Sequence, residues 1–185
     1  MEDEKKECST WELVRFGLIA ILLVIPIRLF IAQPFIVSGS SMSPTFSDGD
    51  YLIVDEVSYR FRDPKRGDVI IFRYPNDKKK FFIKRIIGLP NEKLDIKGNT
   101  VTIVSEEHPE GLLLEQPYVE RGADGSGHFE LKDDEYFVMG DNRSASSDSR
   151  YWGAVAKNLI MGRALLRLLP ISEADLLPGH FEQAE

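Results

Sequence analysis

Two patterns of apolar spacing divide this chain. Residues 11–32 read WELVRFGLIAILLVIPIRLFIA, and 17–27 within them is apolar all round rather than along one stripe. A helix of that length, at ~1.5 Å per residue, matches the hydrocarbon layer of a bilayer. From residue 35 onward the apolar positions come instead in short β-branched and aromatic runs, at 35–37, 51–54, 69–72, 81–87, 100–104, 136–139 and 164–169. Such runs predict strands. Between them stand Ser47-Asp48-Gly49-Asp50, Lys65-Arg66-Gly67-Asp68, Tyr74-Pro75-Asn76-Asp77, Pro90-Asn91 and Lys97-Gly98-Asn99, all turn chemistry. The expectation is a mainly β, antiparallel domain behind one N-terminal helix. By segment it is a polar terminus over 1–10, an anchor over 11–34 and a β-domain over 35–170. An exposed loop is expected at 106–127, and a mobile polar tail at 171–185.

The apolar segment has three readings. A core helix is disfavoured because the segment lacks a polar face. A cleavable signal peptide also begins with a few basic residues before an apolar run. This segment is long for that, however, and no small-x-small cleavage site follows it. An uncleaved transmembrane anchor fits best. Trp11 suits the interface, Arg28 sits where its head can snorkel to water, Pro26 predicts a kink and Gln33-Pro34 a stop. Lys5, Lys6 and Arg15 compete with Arg60, Arg62, Lys65 and Arg66, so charge alone leaves the orientation open.

Composition narrows the function. The 185 residues suffice for one domain plus an anchor. A formal charge of −7 and a pI near 5.1 argue against nucleic-acid binding. Cys8 is the single cysteine, and His108, His128 and His180 are isolated. No disulfide framework, metal site or other cofactor is expected.

Two short motifs carry candidate chemistry: Gly39-Ser40-Ser41-Met42-Ser43-Pro44-Thr45 and Phe82-Ile83-Lys84-Arg85-Ile86-Ile87-Gly88-Leu89-Pro90. A serine hydroxyl is a poor nucleophile without a base. A lysine becomes that base when burial disfavours its ammonium form. With a strand period of two, Lys84 shares a face with Phe82 and Ile86, whereas Lys78, Lys79 and Lys80 fall at a turn. Taken singly, a Ser-x-x-Pro turn and a strand lysine are common surface features. A third block, 136–153 (YFVMGDNRSASSDSRYWG), adds a strand running into a loop of hydroxyls, Asp and Arg. Such a loop can brace itself by charge-assisted hydrogen bonds.

With these motifs, the chain resembles bacterial type I signal peptidases, membrane-bound proteases that use serine and lysine. The serine motif, Arg66-Gly67-Asp68-Val69-Ile70-Ile71-Phe72, the lysine strand, Gly140-Asp141-Asn142-Arg143 and Gly162-Arg163-Ala164 occur in that family's order across 35–170. The resemblance implies a barrel-like antiparallel catalytic domain with Ser41 as nucleophile and Lys84 as general base. It implies that Ser146 orients the lysine amine, that Asp148 and Arg150 form a supporting ion pair, and that Asp141 and Arg143 are scaffold. Substrates would be signal peptides of exported preproteins, cut after small-x-small sites through an acyl-enzyme. The enzyme would sit in the bacterial cytoplasmic membrane, in contact with lipid, with a short cytoplasmic terminus and an extracytoplasmic catalytic domain.

This sequence departs from the pattern in places. Gly39 stands where many members place an oxyanion-stabilising serine, which leaves the Ser41 backbone N–H for that task. Ser40 replaces a more usual glycine, and Ser144-Ala145 replaces a frequent Asp-Asn. The spacing from Ser41 to Lys84 resembles the smaller members. Val37, Met42, Phe46, Phe82 and Ile83 are expected pocket walls, each equally able to serve as core. Two other classes compete: an inactive tethered peptide-binding domain, and a self-cleaving repressor of the DNA-damage response. The intact dyad disfavours the first and the apolar helix the second.

Overall fold

The structure, a computed structural model, describes residues 10–30, 32–120, 122 and 125–181. The expected polar terminus over 1–9 and the last part of the expected tail, 182–185, lie outside the described residues. Helix α1 spans Thr10–Phe30. Among the described residues no helix is long and apolar enough to cross a membrane. Glu12 and Arg15 occupy the first turns, so the uninterrupted apolar run is only 16–27. Apart from Glu12 and Arg15, the exposed residues described on α1 are nevertheless apolar or small, with Trp11 at 72%, Phe16 at 63% and Leu22 at 76% exposure.

The strands follow as β1 (Ala32–Ile36), β2 (Tyr51–Asp55), β3 (Val69–Tyr74), β4 (Asp77–Gly88), β5 (Lys93–Lys97) and β6 (Thr100–Val104). Beyond them lie β7 (Leu112–Leu113), β8 (Ser126–Glu130), β9 (Glu135–Met139), the short helix α2 (Ser149–Trp152), β10 (Val155–Ala156), β11 (Ile160–Leu169) and β12 (Asp175–Leu176). The larger sheet runs β1-β2-β11-β3-β4-β9-β10, with β12 added beside β11, and the smaller runs β7-β6-β5-β8. All the described pairings are antiparallel.

Strand β3 shows why the larger sheet holds together. Val69 and Ile71 enter one core with Met42, Phe46, Leu52 and Val54, while Ile70 and Phe72 enter another with Ile86, Tyr136 and Val138. Both faces of the strand are covered, which is why it reads as a continuous apolar run rather than an alternation. A third core under the smaller sheet joins Ile87 and Met139 to Leu94, Val101 and Ile103.

Two sequence expectations are corrected here. The segment 106–127 is not one exposed loop: Leu112–Leu113 pairs with β6, and Ser126–Glu130 pairs with β5. The segment 171–181 is not a loose tail either, since Asp175–Leu176 pairs with β11. Both contain strands too short or too polar to declare themselves by composition. Their ordering comes from backbone pairing with neighbouring strands.

Candidate active site

The serine turn is pinned at both ends. Val37 is buried, donates its N–H to Asp50 O and accepts from Gly49 N–H, both at 2.9 Å, extending the pairing of β1 with β2. Met42 and Phe46, 1% and 0% exposed, anchor the other side in the core. Between these anchors Gly39 turns with φ of 89° and donates its N–H to Asp48 Oδ1 at 2.7 Å. A residue with a Cβ adopts that φ only at a cost. The Phe46 N–H to Met42 O bond (2.9 Å) closes the turn. Ser41 is thereby held at the tip, half-buried.

Lys84 arrives from β4. Its Nζ lies 2.7 Å from Ser41 Oγ and 2.8 Å from Ile83 O, and the residue is 4% exposed. Burial pulls its pKa from 10.5 down to about 8, against the opposing pull of Asp148 and Asp141. The Phe82 ring, 5.5 Å from Nζ, lies on the same strand face, as the period predicts. A neutral Lys84 amine can accept the Ser41 proton while keeping its bond to Ile83 O.

Ser146 departs from expectation. Its Oγ is buried without a hydrogen-bond partner, and the lysine amine is oriented by Ile83 O instead. The hydroxyl packs on Gly140, where an added Cβ would meet both Ser146 Oγ and Ser41 O at 2.3 Å. Only glycine lets the two segments approach so closely. Asp148 and Arg150 do form the expected pair, bidentate at 2.8 and 2.9 Å, and Asp148 Oδ2 also accepts Gly140 N–H. Arg150 Nη2 donates to Arg143 O at 2.7 Å. Arg143 is 1% exposed and donates to Gly140 O at 3.0 Å, and burial lowers its pKa to about 10.

Asp141 receives more than a scaffold role suggests. Arg85 Nε and Nη2 reach its two oxygens at 2.9 and 2.6 Å, and Thr45 Oγ1 donates to it at 2.6 Å. Arg85 and Asp141 are both fully buried. Arg85, Thr45 and Asn142 were not anticipated. Asn142 donates its backbone N–H to Ser41 O at 3.1 Å and its side chain to Ser40 O at 3.2 Å, clamping the serine turn from behind. The one sequence signal for Arg85 was its place inside an apolar run beside Lys84. Period two put it on the opposite face, where nothing in the sequence named its partner.

A groove of about 540 Å³ opens beside Ser41 and Lys84. Val37, Phe82 and Ile83 line it as expected, together with Phe35, Ile36 and Ser40. Met42 and Phe46 are corrected: they fill the core under the turn. Strand β9 pairs with β4 only at Arg85, Ile86 and Gly88, so 81–84 present an unpaired edge to the groove. Across it, β1 is a sheet edge leading into the serine turn. Among the described residues no cluster of His, Cys, Asp or Glu could hold a metal.

Comparison with known proteins gives the family. The profile described as signal peptidase, peptidase S26, matches residues 10–169. A probable signal peptidase I-2 of a Synechocystis species is 37% identical over 190 residues, covering 97% of this chain and 84% of that protein. Signal peptidase I V of Bacillus subtilis is 34% identical, covering 79% of this chain and 91% of that protein. A crystal structure of a signal peptidase I from Enterococcus faecalis aligns with 55% of this chain and 97% of its own, at TM-score 0.46 and 28% identity. By the extent of the profile match and the identity of these relatives, the chain belongs to the signal peptidase family, peptidase S26, and is a serine peptidase.

Proposed function

We propose that the chain removes signal peptides from exported preproteins with Ser41 as nucleophile and Lys84 as general base. The single observation that carries this reading is the 2.7 Å contact between Lys84 Nζ and Ser41 Oγ at a lysine whose pKa burial has lowered to about 8. The neutral amine takes the Ser41 proton as Oγ attacks the scissile carbonyl. The protonated amine then gives that proton to the leaving amine, and the acyl-enzyme forms. Lys84 next activates a water that releases the acyl group and restores Ser41. The Ser41 N–H is the oxyanion donor in this scheme. Gly39 offers neither a hydroxyl nor a free N–H, because its amide is taken by Asp48. Asp148 with Arg150, Asp141 with Arg85, and Arg143 on Gly140 O brace the 140–150 loop.

The substrate adds as a strand to the unpaired edge at 81–84. Small residues at −1 and −3 follow from the family. Helix α1, with its exposed apolar side chains and contacts to the domain chiefly through β1, serves as the anchor in the cytoplasmic membrane, with the catalytic domain outside. An apolar helix so exposed is unfavourable in water, and lipid removes that cost.

Purified protein in detergent, given a preprotein with an Ala-x-Ala site, is expected to cut it once, after the second alanine. Ser41→Ala is expected to leave it whole. Cleavage by Ser41→Ala, or an intact preprotein with wild type, ends the proposal. The pH profile gives a second expected outcome. Only neutral Lys84 is competent, so kcat/KM rises with pH to a plateau, with a midpoint near 8. Below the midpoint it falls about tenfold per unit. A flat profile from pH 6 to 10 would remove Lys84 as the base.

A further inference from the structure

The segment after β12 runs across the back of the dyad. Leu177 N–H donates to Leu165 O at 2.7 Å, so the chain is still tied to β11 as it leaves the strand. Two residues later the Gly179 carbonyl accepts from Arg85 Nη1. The same nitrogen donates to Gly67 O at 2.9 Å, while Nε and Nη2 hold Asp141. The Tyr118 ring lies 3.9 Å from the guanidinium carbon, and the Phe181 ring meets Tyr118 edge-on at 5.6 Å. Gly179 has φ of 72°, and a Cβ there would stand 2.5 Å from Thr45 Cγ2 and 3.2 Å from Arg85 Nη2. Gly179 is therefore wedged between the two side chains that hold Asp141.

We propose that Gly179 is a positioning residue of the peptidase: its carbonyl and bare α-carbon seat Arg85 and Thr45 on Asp141, and so hold the serine turn against Lys84. The inference rests on Ser41 and Lys84 being the dyad. Thr45 stands in the turn that the Phe46 N–H to Met42 O bond closes, so moving its side chain moves the turn carrying Ser41. Asp141 precedes Asn142, which grips Ser41 O. Turn and loop are thus fastened at one buried point, and the C-terminal segment completes it. A fully buried guanidinium needs its acceptors, because an unmade hydrogen bond to a buried charge is costly. Gly179 O and Gly67 O are the two that Asp141 does not supply.

The charged groups facing Lys84 define a second consequence. Asp141, neutralised by Arg85, and Asp148, neutralised by Arg150, both act to raise the lysine pKa. Arg143 stands behind them on Gly140 O. Loosening Arg85 leaves Asp141 less compensated, which favours the ammonium and moves the activity midpoint upward.

The test is Gly179→Ala with and without Thr45→Ser, on the preprotein with an Ala-x-Ala site. Gly179→Ala is expected to lower kcat by roughly 10- to 100-fold, as small misplacements of reacting groups do. KM should stay within about twofold, and the pH midpoint should shift upward. Serine keeps the hydroxyl that bonds Asp141 but lacks the Cγ2 that the new methyl would strike. The double variant is therefore expected to recover most of the kcat lost relative to Thr45→Ser alone. Its melting temperature should stay as low as that of Gly179→Ala, because the left-handed strain is unrelieved. A merely structural role would move kcat and stability together. A chain ending at Pro178 gives an independent arm, with the same fall in kcat and the same upward shift. The proposal is overturned if Gly179→Ala or the shortened chain keeps kcat within twofold of the full chain, or if a folded double variant regains no activity. Failure of the dyad reading registers separately, as cleavage by Ser41→Ala.

Discussion

Lys84→Met is expected to abolish cleavage, by at least about 10⁴-fold in kcat/KM, while making the folded domain more stable below pH 8. The two effects share one cause. Folding lowers the lysine pKa from 10.5 to about 8 through burial. Between those values the unfolded chain holds the proton more tightly than the folded one, so stability falls as pH drops through that window and stays low beneath it. At neutral pH the buried ammonium costs on the order of 3 kcal/mol relative to a site that did not perturb it. Methionine has similar length and no charge, so it removes the cost. The hydrogen bonds to Ser41 and Ile83 O are lost, but both acceptors border the groove and regain water. Denaturant melts at pH 6.5 and 10.5 decide the matter. The variant should gain about 1–3 kcal/mol at the lower pH and close to nothing at the higher. A variant less stable than wild type at pH 6.5 would mean that Lys84 is not strained by its burial.

The second large effect is structural first and catalytic in consequence. Asp141→Ala is expected to cost about 3–5 kcal/mol of stability, because it strands the Arg85 guanidinium, 0% exposed, without its carboxylate. It also frees Thr45 Oγ1 and loosens the turn that presents Ser41. Activity should fall at temperatures well below the melt, and not only near it. In an Arg85→Met background the same substitution is expected to cost far less, since no buried cation is left behind. Urea unfolding of the four chains measures this coupling. Equal costs in both backgrounds would show that the pair is not coupled as its geometry implies.

Other residues show how far local pattern reached. Lys84 was separable from Lys78, Lys79 and Lys80 by its apolar neighbours, a local property, although those three lie on β4 and not at the turn expected for them. Ser41 and the pair of Asp148 with Arg150 were singled out through the family's motifs, and the latter two do form an ion pair. Arg85 looked like an ordinary strand charge, since its acceptors Gly67 O, Asp141 and Gly179 O come from three distant segments. Ser146 was given the lysine amine, yet Ile83 O, one residue from Lys84, takes that bond. A backbone carbonyl leaves no trace in side-chain identity. Met42 and Phe46 were as apolar as a pocket wall requires, and only packing sent them into the core.

By itself the sequence determined that this protein is an apolar helix followed by a mainly β domain, and it set Lys84 apart from its neighbouring lysines. Those conclusions follow from side-chain chemistry and from periods of a few residues, which act at short range. The tertiary structure decided that Lys84 Nζ stands 2.7 Å from Ser41 Oγ, that Asp141 ties the serine and lysine segments together, and that residues 175–181 belong to the domain. Each of these depends on groups brought together from far apart in the chain. Such contacts form only when burial and backbone pairing repay the entropy of closing long loops, and no local spacing encodes them.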